Sequence, residues 1–477
     1  MTHWNVYYTV TSMDSAVQLL AEHAGEARLM AGGTDLILEL EKGLHTAPVL
    51  IDITRVGGLD DIRLGEDGLI HIGPMVTHAQ AAASPLLQEQ ALPLALTCWG
   101  VGAPQLRNRG TIAGNLVTAS PANDTITTLQ ALGARVTLRS ARGERTLPLR
   151  ELYLHVRRTQ MEPDEMLVDI AFKPLKANQR GIYLKLRPRK ALAIAVVNVA
   201  IVLTLDKDTV THAHIAMGCV APTIIDAPEA EAALVGGPLT AERIAQAAQL
   251  AADAARPIND VRGSAWFRHE EVAALVQRGL ETLRDGGERM DLPLPKAMPL
   301  LWGKTRLRPR LSGMTIAHHS DGDEPIECTV NGENVTVHGA NSKTLLHMLR
   351  DEGYTGTKSG CEEGECGACT VWLDGIAVLA CLVAAPRAHG ASIVTIEGLQ
   401  KNGKLHPVQA AFIEEDAVQC GFCTPGFVMS AASLLEEHPH PTREQIIAAL
   451  SGNLCRCTGY YKIIRAVEKA AELSHTL

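Results

Sequence analysis

Eight of the 11 cysteines in this 477-residue chain fall between Cys361 and Cys457, in two quartets of different spacing. No other feature restricts the fold as much, because four thiolates that share a metal centre must be carried to one place by the backbone. The first quartet is Cys361-x4-Cys366-x2-Cys369, with Cys381 after eleven intervening residues, which is the plant-type spacing for a 2Fe-2S cluster. Gly360, Gly364 and Gly367 let the backbone wrap a cluster and aim amides at its sulfurs. The second quartet is Cys420-x2-Cys423 followed by Cys455-x-Cys457. Two quartets imply two clusters, although the second spacing also suits a zinc site. Disulfides are disfavoured, since the leading residues Met1 to Val10 show neither a secretory pattern nor a twin-arginine pair.

Three stretches carry a resemblance: Gly360 to Thr370 (GCEEGECGACT), Gln419 to Gly426 (QCGFCTPG) and Ser451 to Gly459 (SGNLCRCTG). They resemble the iron-sulfur subunit of the molybdenum hydroxylases, the xanthine dehydrogenase, aldehyde oxidase and carbon monoxide dehydrogenase group. The resemblance implies a β-grasp ferredoxin-like domain for the first cluster and a four-helix domain for the second. It also implies that Gln419 and Cys457 lie against a molybdopterin held by another polypeptide.

Upstream, Asp14 to Ala24 reads as a capped amphipathic packing helix with Val17, Leu20 and Ala24 on one face. A short strand at Arg28 to Ala31 then leads through Gly32-Gly33-Thr34-Asp35 into the helical run Leu36 to Leu40. Two glycines at a strand-to-helix turn allow backbone amides to approach a phosphate, although alone they mark only a tight turn. No G-x-G-x-x-G is present in this segment: Gly100-Val101-Gly102 comes nearest, with Gln105 in the third glycine's place, so a Rossmann domain is disfavoured. Arg107 to Leu116, followed by Ala119 to Asp124, reads either as a cofactor-lining stretch or as a glycine-punctuated strand and loop.

The matching segments Leu29 to Leu36, Val101 to Pro121, Lys185 to Ala195, Met217 to Pro222 and Pro257 to Arg268 resemble the flavoprotein subunit of the same family. The resemblance implies a two-lobed α+β fold holding FAD. Carried over position by position, Leu29, Met30, Ala31, Gly32, Gly33, Thr34, Asp35 and Leu36 contact FAD, as do Thr111, Ile112, Ala113, Gly114 and Asn115, with Asp124, Leu167 and Lys185. Ala113 departs from the glycine usual there and crowds the flavin approach by one methyl. Without its neighbours, Lys185 reads as a solvated surface lysine.

Val136 to Leu138 and Leu167 to Ile170 alternate as strands, and Ala191 to Leu205 reads as a buried strand because Asn198 and Thr204 interrupt its apolar run. Ala241 to Ala255 and Glu270 to Leu283 are helical. From Asp285 the composition shifts. Pro293, Pro295, Pro299 and Pro309, with Lys304, Arg306, Arg308 and Arg310, mark a linker. Beyond it come a hairpin turning at Asn331-Gly332, a helix at Thr344 to Asp351 and a helical part from Pro407 with a capping box at Thr442. The expected organisation is α+β throughout: an FAD-binding domain over 1–176, its C-terminal lobe over 177–288, a linker over 289–324, a β-grasp 2Fe-2S ferredoxin domain over 325–403 and a helical 2Fe-2S domain over 404–477.

A net charge of −9 argues against nucleic acid as the main partner, and the apolar content of 46% is ordinary for a soluble domain protein. A cytoplasmic setting follows from the reduced cysteines. The resemblance implies an electron-transfer chain in which molybdenum on a separate large subunit oxidises substrate and electrons pass to the second cluster, the first cluster, FAD and then NAD or another acceptor. It also suggests a dimer of heterodimers. The flavin-first order reverses that of fused eukaryotic xanthine dehydrogenases. A purine such as xanthine or hypoxanthine leads as substrate, with an aldehyde or another N-heterocycle as the alternative. A molybdenum-free flavin and iron-sulfur reductase is the second class. A reductive branch with an additional 4Fe-4S cluster is disfavoured, because the flavin region holds only Cys98 and Cys219.

Overall fold

The computed structural model describes residues 4–290, 292–304, 313 and 315–473. Pro309, Arg306, Arg308 and Arg310 of the expected linker, and Met1 to His3 of the leading segment, lie outside the described residues. The chain forms two compact units. The first contains Met1–Gly57, Gly102–Gly110 and Ala297–Leu477, and the second Gly58–Val101 and Thr111–Lys296.

In the first unit, one sheet has the order Ile316–His319, Val6–Thr9, Val49–Asp52, Ala27–Met30. Its three N-terminal strands are parallel neighbours, and Ile316–His319 closes the edge antiparallel to Val6–Thr9. The expected linker is therefore structured in part. Met298, Leu300 and Leu301 are also buried, and Glu437 accepts the backbone N–H groups of Leu300 and Leu301, each at 2.9 Å. Composition marked this segment as loose, yet its apolar residues find a core and its edge strand satisfies the amides of Val6–Thr9. The helix Met13–Glu22 is capped by Ser12 and buries Ala16, Val17 and Leu20. Ala24 falls beyond its His23 cap and is exposed, so the expected face is one turn too long.

The ferredoxin-like part of this unit is a five-stranded sheet in the order Glu333–Val337, Ile326–Val330, Ser392–Val394, Thr370–Leu373, Ile376–Leu379. Its first hairpin turns at Asn331 and Gly332, both left-handed at φ 56° and 89°, the two-residue turn that matches strand twist. Thr344 caps the helix Leu345–Asp351. The helices Pro407–Glu414, Thr424–Glu437, Arg443–Leu450 and Tyr461–Leu473 follow and bury Phe412, Phe427, Ile446 and Val467 in one core. Thr442 and Gln445 form the expected capping box.

The second unit carries a five-stranded sheet, Ile62–Leu64, Ile70–Ile72, Met166–Phe172, Arg135–Ser140, Gly143–Pro148. It also carries a four-stranded antiparallel sheet, Gln179–Leu186, Val197–Asp206, Thr209–Gly218, Ile225–Asp226. The helices Ala241–Ala254 and Ala265–Asp285 cover the second sheet, with Ala247, Ala251, Val272, Val276 and Leu280 in its core. The buried strand expected from Ala191 begins only at Val197, and the helix expected from Glu270 begins five residues earlier, where Ser264 caps Phe267. Gly286, at φ 77°, ends that helix.

Candidate flavin and iron-sulfur sites

The first quartet lies in the loop that precedes Thr370–Leu373 and in the turn after Ile376–Leu379, so one hairpin carries Cys369 and Cys381 to the same place. Cys361 accepts from the amides of Glu363 and Glu365 at 3.4 and 3.3 Å, and Cys366 from the amide of Cys361 at 3.4 Å. These are N–H to sulfur bonds of the kind that stabilise thiolate. The Cys366 S–H, together with those amides, holds the Cys361 thiol down to about 5, while Cys366 is pushed up as the donor of the pair. Cys369 and Cys381 are a second bonded pair, both buried.

The second quartet pairs in the same way. Cys457 and Cys420 stand 3.6 Å apart, and Cys423 pairs with Cys455. Cys455 accepts from the Thr458 hydroxyl at 3.1 Å and from the amides of Thr458 and Cys457 at 3.3 and 3.4 Å. Among the described residues no three His, Cys, Asp or Glu side chains close on a point as around one metal ion. Sulfurs joined two by two suit a two-iron cluster, where each iron takes two thiolates. Two thiolates on one tetrahedral metal, each about 2.3 Å from it, stand about 3.7 Å apart, close to the Cys420 and Cys457 separation. The residues therefore fit two 2Fe-2S groups. Cys420 and Cys457 are exposed, as is Gln419, with Val418, Phe422 and Leu454 exposed beside them.

The expected FAD residues fall in both units. In the first, Leu29 and Met30 end the strand Ala27–Met30, the turn runs from Ala31 through Asp35, and Leu36 opens the helix Leu36–Glu41. Gly33 is left-handed at φ 78°, and a Cβ on it would stand 3.0 Å from the carbonyl oxygen of Leu382, the neighbour of Cys381. Arg109 donates through Nε to the Gly32 carbonyl and through Nη2 to the Ala31 carbonyl, both at 3.4 Å. Burial lowers its guanidinium to about 10, and the nearby Arg387 adds to the shift. With these carbonyls turned toward the guanidinium, the turn has no side chains at positions 32 and 33, where the backbone carbonyls of Arg109 and Leu382 come within 2.2 and 3.0 Å of where a Cβ would stand.

In the second unit, Thr111 caps the helix Ile112–Thr118, accepting from the Gly114 amide at 3.0 Å. Arg107 to Leu116 is thus a short helical turn, a loop and a second helix, with no strand, and Ala113 is buried in the first turn of that helix. Asn115 accepts from the Thr125 hydroxyl through its side chain and from Asn123 Nδ2 through its carbonyl at 2.6 Å. Leu167 is buried beside a bulge between Leu167 and Asp169. The surface reading of Lys185 is overturned. Its Nζ lies 2.5 Å from Asp124 Oδ2, with side-chain exposures of 6% and 7%. Tyr183 OH donates to Asp124 Oδ1 at 2.6 Å and Asn198 Nδ2 donates to it at 3.4 Å. Sequence reading passed over Tyr183, although it shares a strand face with Lys185, and took Asn198 only as an interruption of the apolar run, although it is a lone amide in a Val- and Ile-rich strand.

Fold and cysteine pairs together fit an iron-sulfur protein of the electron-transfer kind. Residues 2–173 match the family described as the FAD binding domain in molybdopterin dehydrogenase, and 182–283 the CO dehydrogenase flavoprotein C-terminal domain. Residues 328–386 match the 2Fe-2S iron-sulfur cluster binding domain, and 395–468 the [2Fe-2S] binding domain. The nicotine 6-hydroxylase small subunit of Paenarthrobacter nicotinovorans is 52% identical over 155 residues, 32% of this chain and 93% of that protein. The xanthine dehydrogenase iron-sulfur-binding subunit of Escherichia coli O157:H7 is 48% identical over 145 residues, 30% and 91% of the two chains. A carbon monoxide dehydrogenase chain from Hydrogenophaga pseudoflava superposes with a TM-score of 0.56 at 32% identity, covering 58% of this chain and 96% of that one. The chain belongs to the molybdenum hydroxylase family, as an oxidoreductase subunit whose cofactors are FAD and two 2Fe-2S clusters. Among the described residues no helix is long and apolar enough to cross a membrane.

Proposed function

We propose that this chain is the electron-carrying subunit of a hydroxylase that oxidises a nitrogen heterocycle on a separate molybdopterin subunit and delivers the electrons to NAD or another acceptor in the cytoplasm. Nicotine and xanthine, which name the two relatives above, are both nitrogen heterocycles, and the purine proposal is one case of that class. The observation that carries the reading is the second quartet. Its Cys420 and Cys457 open on the surface beside Gln419 and an exposed apolar group of Val418, Phe422 and Leu454. A redox centre at the edge of an apolar patch suits docking against another redox subunit.

The cysteines at 361, 366, 369 and 381 and at 420, 423, 455 and 457 are proposed to hold the clusters. The stretch 29–36, with 111–115, Asp124, Leu167 and Lys185, is proposed to hold FAD. When bound, the clusters carry single electrons and the flavin collects two for hydride delivery. The amides of Glu363 and Glu365 favour anionic sulfur at Cys361, and Asp124 fixes Lys185 while keeping its charge compensated. The proposed domain boundaries are 1–176, 177–288, 289–324, 325–403 and 404–477.

The test is purification from the source cells with metal and flavin analysis, identification of co-purifying chains, native mass and a substrate screen with NAD. Iron near four, FAD and molybdenum near one, and a large second chain in a dimer of heterodimers would bear the proposal out, with purine, pyridine and aldehyde substrates separating its branches. Iron and FAD without molybdenum would replace it with a stand-alone reductase.

A further inference from the structure

The loops of the two cysteine quartets meet backbone to backbone. Gly426, in the helix after Cys423, approaches Gly367, between Cys366 and Cys369, so closely that a Cβ on Gly426 would stand 2.2 Å from the Gly367 carbonyl oxygen. A Cβ on Gly367 would stand 2.3 Å from the carbonyl oxygen of Gly452. Beside this contact the Leu454 amide donates to the Cys366 carbonyl at 2.9 Å. The residue before one second-quartet cysteine, Cys455, is thereby bonded to the backbone of a first-quartet cysteine.

One side chain pins the junction. Asn453, 2% exposed, donates through Nδ2 to the Gly367 carbonyl at 3.0 Å. Its Oδ1 stands 2.8 Å from the Ser430 hydroxyl and accepts from Gln105 Nε2 at 3.0 Å. Gln105 also donates to Ser430 at 2.9 Å and is 1% exposed. It arrives from 348 residues away, in the segment Gly102–Gly110 that leaves the flavin region to pack in the first unit. Three buried polar side chains cost desolvation that their bonds to one another and to the Gly367 and Gly426 carbonyls offset, with Gln105 Oε1 alone left without a partner in the group, and such a bonded group specifies one relative placement of the parts it joins. Here those parts are the two cysteine loops.

We infer that Asn453 and Gln105 are positioning residues for electron transfer between the two clusters, holding the Cys366 carbonyl against the Leu454 amide. The inference rests on the reading of the two quartets as 2Fe-2S sites. The step is the passage of one electron from the reduced cluster of Cys420, Cys423, Cys455 and Cys457 to the oxidised cluster of Cys361, Cys366, Cys369 and Cys381. No bond is made or broken in it, and no proton moves. Asn453→Leu removes the pin while keeping the side chain's branching and its number of heavy atoms. Gln105→Met weakens it from a residue remote from every cysteine in sequence.

The experiment is electron paramagnetic resonance of the full chain fully reduced with dithionite, alongside iron and FAD analysis and the rate of intercluster transfer after flash photoreduction. Both variants are expected to keep wild-type iron and FAD, to show a reduced spin-spin splitting between the clusters and to transfer about tenfold more slowly, Gln105→Met less so than Asn453→Leu. Wild-type splitting and rate in both variants would overturn the positioning role. Loss of iron from both would also overturn it, by reducing the pair to a fold-holding contact. A wild-type chain with only one 2Fe-2S signal would instead overturn the two-cluster reading and this inference with it.

Discussion

Lys185→Met tests whether the carboxylate of Asp124 is buried and paired. Removing one partner of a buried ion pair costs about 3–5 kcal/mol, because the other charge is left uncompensated. The lower end applies here, since Tyr183 OH at 2.6 Å and Asn198 Nδ2 at 3.4 Å still donate to Asp124. About 3 kcal/mol corresponds to a drop of about 6–12 °C in Tm for a unit of roughly 150–250 residues. Calorimetry of the FAD-free chain gives the measurement, with the transition of the second unit followed separately because two units need not unfold together. Replacing the charged pair and its hydroxyl neighbour, as Lys185→Met with Asp124→Leu and Tyr183→Phe, removes both charges and the hydroxyl but leaves the buried Asn198 Nδ2 without Asp124 as acceptor, and is expected to recover part of the loss. A drop under about 2 °C in the single variant, or a larger loss in the triple one, would refute the buried-pair argument.

Three further outcomes follow from named contacts. Gly32→Ala would set a Cβ 2.2 Å from the Arg109 carbonyl oxygen; FAD affinity is expected to fall at least about tenfold, read by flavin titration, while the visible circular dichroism of the clusters is unchanged. Cys369→Ser removes a buried proposed ligand of the first quartet, and iron is expected to fall from about four to about two per chain, with FAD retained. Burial opposes the Asp260 carboxylate, yet bonds from the Arg262 side chain and amide and from Arg268 hold its carboxyl well below the usual range. A depressed folded pKa means stability that is present above the unfolded value and lost as pH falls toward the folded one, so Tm is expected to drop more steeply below about pH 4 in the wild type than in Asp260→Asn.

The features legible in the sequence are those whose cause is local. Cysteine spacing, the Asn331-Gly332 turn and the Thr442 cap each depend on a few adjacent residues. The environment of Lys185 depends on Asp124, 61 positions away, and that of Asn453 on Gln105, 348 away, and neither separation leaves a periodic trace. The division between units at Gly110 and Thr111 falls inside one contiguous motif. Composition misjudged the residues around Leu300 for a related reason: proline frequency reports backbone stiffness, whereas burial depends on what the segment meets, here Glu437.

That division has a consequence for electron delivery. The turn Ala31–Asp35 shares the first unit with the ferredoxin sheet, so its distance from the first quartet is set by packing inside that unit, where Ala384 joins the core of the N-terminal sheet and Leu38 packs on that of the ferredoxin sheet. A buried ionic group ties the two parts. Tyr7 OH donates to Asp52 at 2.8 Å, while Arg387 at 3.1 Å and Arg55 at 3.6 Å meet Asp374 of the ferredoxin sheet. Arg55 also donates to the His389 carbonyl at 3.2 Å, and Arg109 turns from the same cluster of charges toward the carbonyls of Ala31 and Gly32. Such a group is weak evidence for stability, because desolvation offsets much of its attraction, but breaking it leaves buried charge, so it resists displacement of one part against the other. Gly33 then meets the Leu382 carbonyl beside Cys381 with no side chain between them. The spacing from the proposed phosphate turn to the first quartet is therefore a property of this unit's interior.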